Sequence, residues 1–439
     1  MQSPAFIKRL FAKAPSTGSK ADRHTRKTVA LCHALLSERG EASGAALARE
    51  ALAAYRLLSG PALHAFFDIL AQEFSPDPAA VEAAARAYGQ DHAPASLIRL
   101  QRVVESPRQE LFRRLNLAAG GTAAVVEMRR RVLRELRARE HWAGIDADLV
   151  HLLGSWFNRG FLSLQRIDWR TPALVLEKLM QYEAVHEIQG WRDLRRRLES
   201  DRRCFAFFHP ALPDEPIIFI EVALTKGMSD QVQPLLDPDS PVVDASVADT
   251  AIFYSITNCQ EGLRGISFGN FLIKQVAEDL GREFPRLKTF ATLSPIPGFR
   301  RWLAATAGAH PQLAELHGEL TAEDWYQRAG PGTRTRTELM RLCAYYLQHA
   351  KHEREPADSV ARFHLSNGAR MERLNWLADT SRTGMARSAG MMVNYLYRLK
   401  DVEHNHEAYA RQHLVVASPG LSLLARGSLM ARLKLERKE

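Results

Sequence analysis

Leu63, Phe66, Phe67, Leu70 and Phe74 follow the i, i+3, i+4, i+7, i+11 spacing, which places one apolar stripe on one helix face. The same helical grammar runs from about residue 28 to residue 161. Breakers divide it. Asp77 before Pro78 predicts an N-cap followed by proline at the first helical position. Ser106-Pro107-Arg108-Gln109 reads as a capping box, and Gly120-Gly121-Thr122 ends one helix and begins the next. This alanine-rich half predicts an all-helical bundle that serves as scaffold or oligomer contact.

The pattern changes near Ile167. Residues 204–208 and 216–224 are rich in β-branched and aromatic side chains, and the short linker between them contains Pro210, Pro213 and Asp214, which predicts a β-hairpin. Residues 227–244 are polar, with Pro and Asp, and read as a surface loop. A strand over 250–256, a glycine-bearing turn, a helix over about 268–280 and a strand over 288–293 follow. That order gives an α/β sandwich, with helices dominating again after Gly298. The expected organisation is a basic leader over 1–27, a helical domain over 28–162 and an α/β domain over 163–439.

Composition narrows the class. The chain has 439 residues, too many for one core, and carries a formal charge of +9. Residues 1–27 hold seven basic side chains against Asp22, and residues 426–439 hold five against two acids, so the rest is close to neutral. A nucleic-acid groove needs Lys and Arg spread over a folded surface, and this distribution argues against one. No apolar run of about 18 residues is present, which disfavours a membrane span. Cys32, Cys204, Cys259 and Cys343 lack CxxC or metal-ligand spacing, the pattern of a reduced, cytoplasmic protein. The acid-free first 20 residues keep a mitochondrial leader as the less favoured reading.

Three stretches could carry chemistry. In the first, Gln260, Gly262, Leu263, Arg264, Gly265, Ile266 and Ser267 join a strand to a helix. Glycines there permit close backbone approach, and a helix N-terminus offers N–H groups to a pyrophosphate. A purely structural turn fits equally well. The lysine of a P-loop and the GxGxxG spacing are both missing, which disfavours ATP and NAD. In the second, Ser294 is followed by Pro295, Pro297 and Gly298, a stiff bend that holds a hydroxyl at a strand end. It reads either as a capped turn or as a positioned group. In the third, His364 sits among turn-forming neighbours, where its ordinary pKa suits acid–base work. A structural histidine is the competing reading, and residues 390–397 read more readily as core than as site. His404 with His406, and His349 with His352, lack the partners a metal needs.

Taken together, Thr292 to Phe299 (TLSPIPGF), Phe363 to Ala369 (FHLSNGA), Asn375 to Asp379 (NWLAD) and Gly390 to Tyr395 (GMMVNY) resemble the malonyl-CoA decarboxylase family, in order. Ala251 to Ile256, Gly262 to Lys274, Trp156 to Leu162 and Glu183 to His186 share the likeness, which extends over about residues 153–398. The resemblance implies a helical oligomerisation domain followed by a GNAT-like catalytic domain, assembled as homo-oligomers, often tetramers. It implies conversion of malonyl-CoA to acetyl-CoA and CO₂ with no metal or other cofactor. The family's serine and histidine fall on Ser294 and His364, and supporting positions fall on Ser255, Tyr397 and Asn367. The segment 260–267 is the expected CoA contact, its backbone N–H groups being candidate donors to the thioester oxyanion. A glutamate of the animal members is replaced by Ser267. Two alternatives remain: a GNAT-type acyltransferase, which would need an acceptor site, and a non-catalytic CoA-binding or helical scaffold protein.

Overall fold

The computed structural model describes residues 20–38, 40–266, 268, 272–322 and 324–436. The chain divides into two compact units. One holds Met1–Phe161 with His209–Pro213 and Gln260–Ser267; the other holds Leu162–Phe208, Asp214–Cys259 and Phe268–Glu439.

The first unit is helical, as its periodicity predicts. Helices span Lys20–Ser37, Glu41–Arg56, Gly60–Glu73, Pro78–Asp91, Pro94–Val104, Pro107–Leu115, Gly121–Glu135 and Ala143–Trp156. The first begins inside the basic segment expected as a leader, so residues 20–27 are helical; residues 1–19 lie outside the described residues. Phe66, Phe67, Leu70 and Phe74 are buried, and Asp77 caps its helix by accepting the Ala79 N–H. The capping box at Ser106 does not form. Ser106 Oγ instead donates to Asp148 at 2.6 Å, beside Arg108 Nε at 2.8 Å and Gln109 Nε2 at 2.8 Å. A buried carboxylate left short of donors is costly, and that demand outweighs capping one exposed N–H.

The second unit is built on an eight-stranded mixed sheet. Its strands are β1 (Ser163–Ile167), β2 (Arg202–Phe208), β3 (Pro216–Thr225), β4 (Thr250–Asn258), β5 (Thr289–Thr292), β6 (Ser294–Pro295), β9 (Arg370–Asn375) and β10 (Met392–Leu396), with β7 (Lys351–His352) and β8 (Glu355–Pro356) forming a separate pair. The order is β1-β2-β3-β4-β5-β10-β6, and β9 also pairs with β10. Among the described strand pairs, β4 with β5 is parallel and the others are antiparallel. The expected hairpin is β2–β3. Both strands are buried on both faces, which explains why their apolar runs are continuous rather than alternating.

Three features differ from expectation. The segment 227–244 is not all surface: Val232 is fully buried, and Leu235, in a short helix Gln233–Leu236, packs with it against Tyr254, Leu293 and Met392. The helix expected from residue 268 is described over Leu272–Glu283. Residues 370–375 and 392–396, expected within a helical region, are strands β9 and β10.

Glu221 interrupts the apolar run of β3. It is buried and paired with Arg197 Nη1 at 2.8 Å; Arg197 also donates to Asp193 at 2.8 Å and to the His186 carbonyl at 2.9 Å. Burial raises the Glu221 carboxyl above its ordinary range, and the adjacent Arg197 charge opposes that rise. This buried hub ties the helix Trp191–Arg197 to the sheet.

Candidate active site

His364 lies in the last turn of the helix Ser359–Ser366. Asp358 caps that helix, its Oδ1 accepting the N–H groups of Val360 and Ala361 at 3.0 Å each. The chain then reverses through Gly368, whose φ is +79° and where a Cβ would collide with the Val402 carbonyl. Only glycine meets both conditions, so the end of the histidine helix is fixed in place.

Ser294 begins the proline-stiffened bend and pairs with Val393 of β10. The bend holds its hydroxyl 2.9 Å from His364 Nε2. Tyr397, just past β10, places its hydroxyl 2.8 Å from His364 Nδ1. Both ring nitrogens therefore have hydroxyl partners. Ser294 Oγ also donates to Thr292 Oγ1 at 2.8 Å, and Thr292 Oγ1 accepts the Tyr395 N–H at 3.2 Å. The Tyr395 ring stacks on the imidazole with centroids 4.3 Å apart. Two residues separated by 70 positions are thus brought into contact by β10.

The array is buried: Ser294 is 5% exposed, His364 3% and Tyr397 1%. Burial alone lowers the His364 pKa from its ordinary 6.5 to about 3. The resting ring is therefore neutral at physiological pH. His186, also buried, is lowered to about 4, chiefly by desolvation. Both shifts leave a signature in stability. An unfolded chain protonates these histidines below about 6.5, whereas the folded chain resists until about 3 to 4. The stability they contribute is intact above 6.5 and is lost as pH falls through that window. Urea midpoints at pH 7.5 and 5 should fall at the lower pH, and less so in a His364→Gln variant; an equal fall in both would count against the neutral ring.

The other expected residues bond to other partners. Ser255, on β4, gives its hydroxyl to the buried Glu183 carboxylate, with oxygens at 2.8 and 2.9 Å. Glu183 also accepts the Val185 and His186 N–H groups and the Thr257 hydroxyl. Ser255 thus anchors the loop after the helix Ala173–Tyr182. Asn367 Nδ2 donates to the Phe363 carbonyl at 2.8 Å, closing the C-terminal end of the histidine helix. Gly262 allows close packing: a Cβ would collide with the Val126 carbonyl, and Arg129 Nη1 bonds the Gly262 and Arg264 carbonyls at 2.8 Å each. The N–H groups of Leu263, Arg264 and Ile266 bond carbonyls of Gln260, Glu261 and Leu263, so they are engaged within the segment rather than offered to an oxyanion. Gly265 keeps a positive φ of 80°, and Ser267 lies outside the described residues.

Thr292, Tyr395 and Asp358 were not singled out by the sequence. Thr292 and Tyr395 stand inside the recognised motifs, and an Asp before a helical run is a readable N-cap signal. Among the described residues no group of three His, Cys, Asp or Glu is arranged to hold a metal ion, and no helix is long and apolar enough to cross a membrane. The four cysteines are buried and unbridged.

β4 and β5 pair from Thr250–Thr289 to Phe253–Thr292, and beyond that point the Ser294–Pro295 strand pairs with β10 instead. A shift in the β3–β4 register falls at the same level, between the Glu221–Ser255 and Val222–Phe253 pairs. Two neighbouring parallel strands thus part just where the serine stands.

Comparison with known proteins gives this arrangement its context. The profile described as Malonyl-CoA decarboxylase N-terminal domain matches residues 74–157, and that described as Malonyl-CoA decarboxylase C-terminal domain matches residues 160–435. The mitochondrial malonyl-CoA decarboxylase of Anser anser anser is 38% identical over 352 residues, 73% of this chain and 70% of that protein. That of Rattus norvegicus is 36% identical over 346 residues, 72% and 70% of the two chains. The crystal structure of malonyl-CoA decarboxylase from Rhodopseudomonas palustris superposes with a TM-score of 0.86 at 49% identity, covering 90% of this chain and 98% of that one. The Agrobacterium vitis enzyme gives 0.85 at 48% identity, covering 91% and 99%. Two domain profiles matched in order and relatives similar over most of their length lead to one conclusion: the chain belongs to the malonyl-CoA decarboxylase family.

Proposed function

We propose that this chain converts malonyl-CoA to acetyl-CoA and carbon dioxide, with Ser294, His364 and Tyr397 as its working groups. The observation that carries the proposal is the buried serine–histidine–tyrosine array beside the parting of β4 and β5. A thioester entering that parting would bring its acyl end to Ser294. The CoA contact by Gln260, Gly262, Leu263, Arg264, Gly265, Ile266 and Ser267 is part of the same reading and rests on their glycine-bearing strand-to-helix pattern.

The electrostatics suggest how a neutral histidine serves the reaction. Cleavage sends the electron pair of the C–C bond into the thioester enolate, and the α-carbon then needs one proton. The resting imidazole, with a pKa of about 3, does not carry an extra proton. A bound malonyl carboxylate is an anion in a water-poor site, and an opposite charge at contact favours the protonated ring. The ring takes up a proton with the substrate, holds the carboxylate together with the Ser294 hydroxyl, and delivers the proton to carbon once CO₂ has left. Charge is balanced at each stage. Tyr397 suits this cycle because a hydroxyl donates to Nδ1 in the resting ring and accepts from it in the protonated one. Ser294 acts as a hydrogen-bonding group, not a nucleophile: a ring of such low basicity is a poor acceptor for a serine proton.

Acceptor-free incubation with malonyl-CoA tests the reading. Acetyl-CoA formation separates it from acyl transfer, and a malonyl group trapped on Ser294 would refute the non-covalent role.

Self-association belongs to the same proposal. The helix Pro94–Val104 buries no residue, and Leu97, Ile98 and Val104 are 37%, 53% and 49% exposed. A second copy of the chain is the occupant we assign to that face. Ile98→Glu should lower the mass measured by light scattering, and an unchanged mass would place the contact elsewhere.

A further inference from the structure

We infer that Thr292 is a positioning residue that sets the resting tautomer of His364. The inference rests on the proposed role of the histidine but is tested without it. Thr292 is completely buried at the end of β5. Its Oγ1 accepts the Ser294 hydroxyl at 2.8 Å and the Tyr395 N–H at 3.2 Å. Its own carbonyl accepts Asn394 Nδ2 at 2.7 Å, and Asn394 Oδ1 accepts Asn375 Nδ2 at 2.8 Å. The threonine is therefore held by β10 through backbone and side chain alike.

The consequence follows from counting protons. A serine hydroxyl has one proton to give. Ser294 gives it to Thr292, so its contact with His364 must be filled by a proton from Nε2. A neutral imidazole carries a single N–H, so Nδ1 is then the acceptor, and Tyr397 must donate. One hydroxyl two residues from Ser294 thus orients the entire row, from Tyr397 through the ring and Ser294 to Thr292. Without that acceptor, Ser294 turns its proton to Nε2, and the ring carries its proton on Nδ1. The Nε2–H of the resting enzyme is the one that faces Ser294, where the substrate carboxylate is proposed to lie. Thr292 keeps that position a donor.

The test is ¹⁵N NMR of histidine-labelled full-length protein at pH 7.5, with His364 assigned by difference from His364→Gln. Cross-peaks to the ring carbon protons distinguish the two tautomers. The wild type should show Nε2–H, Thr292→Val should shift His364 to Nδ1–H, and Thr292→Ser should restore Nε2–H. Valine matches threonine in shape, so thermal denaturation checks that the fold persists, and the serine variant keeps the test valid if the valine variant does not fold. With malonyl-CoA, Thr292→Val should lower kcat about five- to tenfold with KM unchanged, the range of one neutral hydrogen bond. A wild-type ring protonated on Nδ1, or a tautomer unchanged in Thr292→Val, overturns the inference. A tautomer switch in a protein that does not decarboxylate malonyl-CoA would sustain Thr292 and sink the proposed function.

Discussion

His364→Ala should lower kcat for malonyl-CoA decarboxylation by about 100-fold or more, the range in which a positioned acid–base group contributes. The loss should fall on kcat more than on KM, because on the proposed mechanism the ring is charged only once the substrate anion is bound. Alanine also removes the partner of two buried hydroxyls, Ser294 and Tyr397, which are 5% and 1% exposed. Some stability is therefore lost as well. His364→Gln separates the two effects, since its amide can bond a hydroxyl but cannot carry a proton to carbon. Equal activity in His364→Gln and the parent chain, measured as acetyl-CoA released, would remove the histidine from the mechanism.

Arg197→Met should destabilise the protein by about 3–5 kcal/mol, the penalty for removing one partner of a buried ion pair. Arg197 is 2% exposed and serves Glu221, Asp193 and the His186 and Glu187 carbonyls. Methionine fills much of the volume but leaves Glu221 buried without a cation, with Glu183 already opposing its charge. Folding would then have to bury that charge unpaired or take up a proton to remove it, and either lowers stability. A double variant, Arg197→Met with Glu221→Gln, should recover part of the loss because Glu221 no longer brings a charge, while Asp193 still lacks its arginine. Urea midpoints decide the matter, and a single variant within about 1 kcal/mol of the parent would mean that the hub is not a stabilising unit.

Legibility varied with how local the cause of each feature was. The stripe Leu63 to Phe74 was readable because its period is set by the helix itself. The hairpin β2–β3 was readable because its runs are β-branched and its linker carries turn residues. Strands β9 and β10 were not. Arg370–Asn375 has a mixed burial pattern with no clean alternation, and Met392–Leu396 follows a glycine in a stretch that also suits a core helix. Val232 and Leu235 were hidden inside a polar, proline-bearing segment, and two apolar side chains there give no period to read.

The site shows the same divide. Neither the bend at Ser294 nor His364 was convincing singly, and nothing in a separation of 70 residues announces a contact of 2.9 Å. Family resemblance joined them where local physics could not. Ser255 was expected to support them, and its hydroxyl bonds Glu183, because a buried carboxylate recruits the nearest hydroxyls from the facing strand. Gly262 was read as room for a phosphate, and the structure adds a packing reason for the glycine, because its lack of a side chain admits the helix Gly121–Glu135.

Strand β10 pairs with β5, β6 and β9 at once, and Tyr395 and Tyr397 come from its end. During synthesis, Ser294 and His364 both leave the ribosome before the strand that holds them together. A chain stopped short of residue 397 therefore has Ser294 and His364 but lacks the Tyr397 hydroxyl that holds the far side of the ring. Alignment of the two side chains therefore waits on residues 392–397, however much of the preceding sheet has already formed.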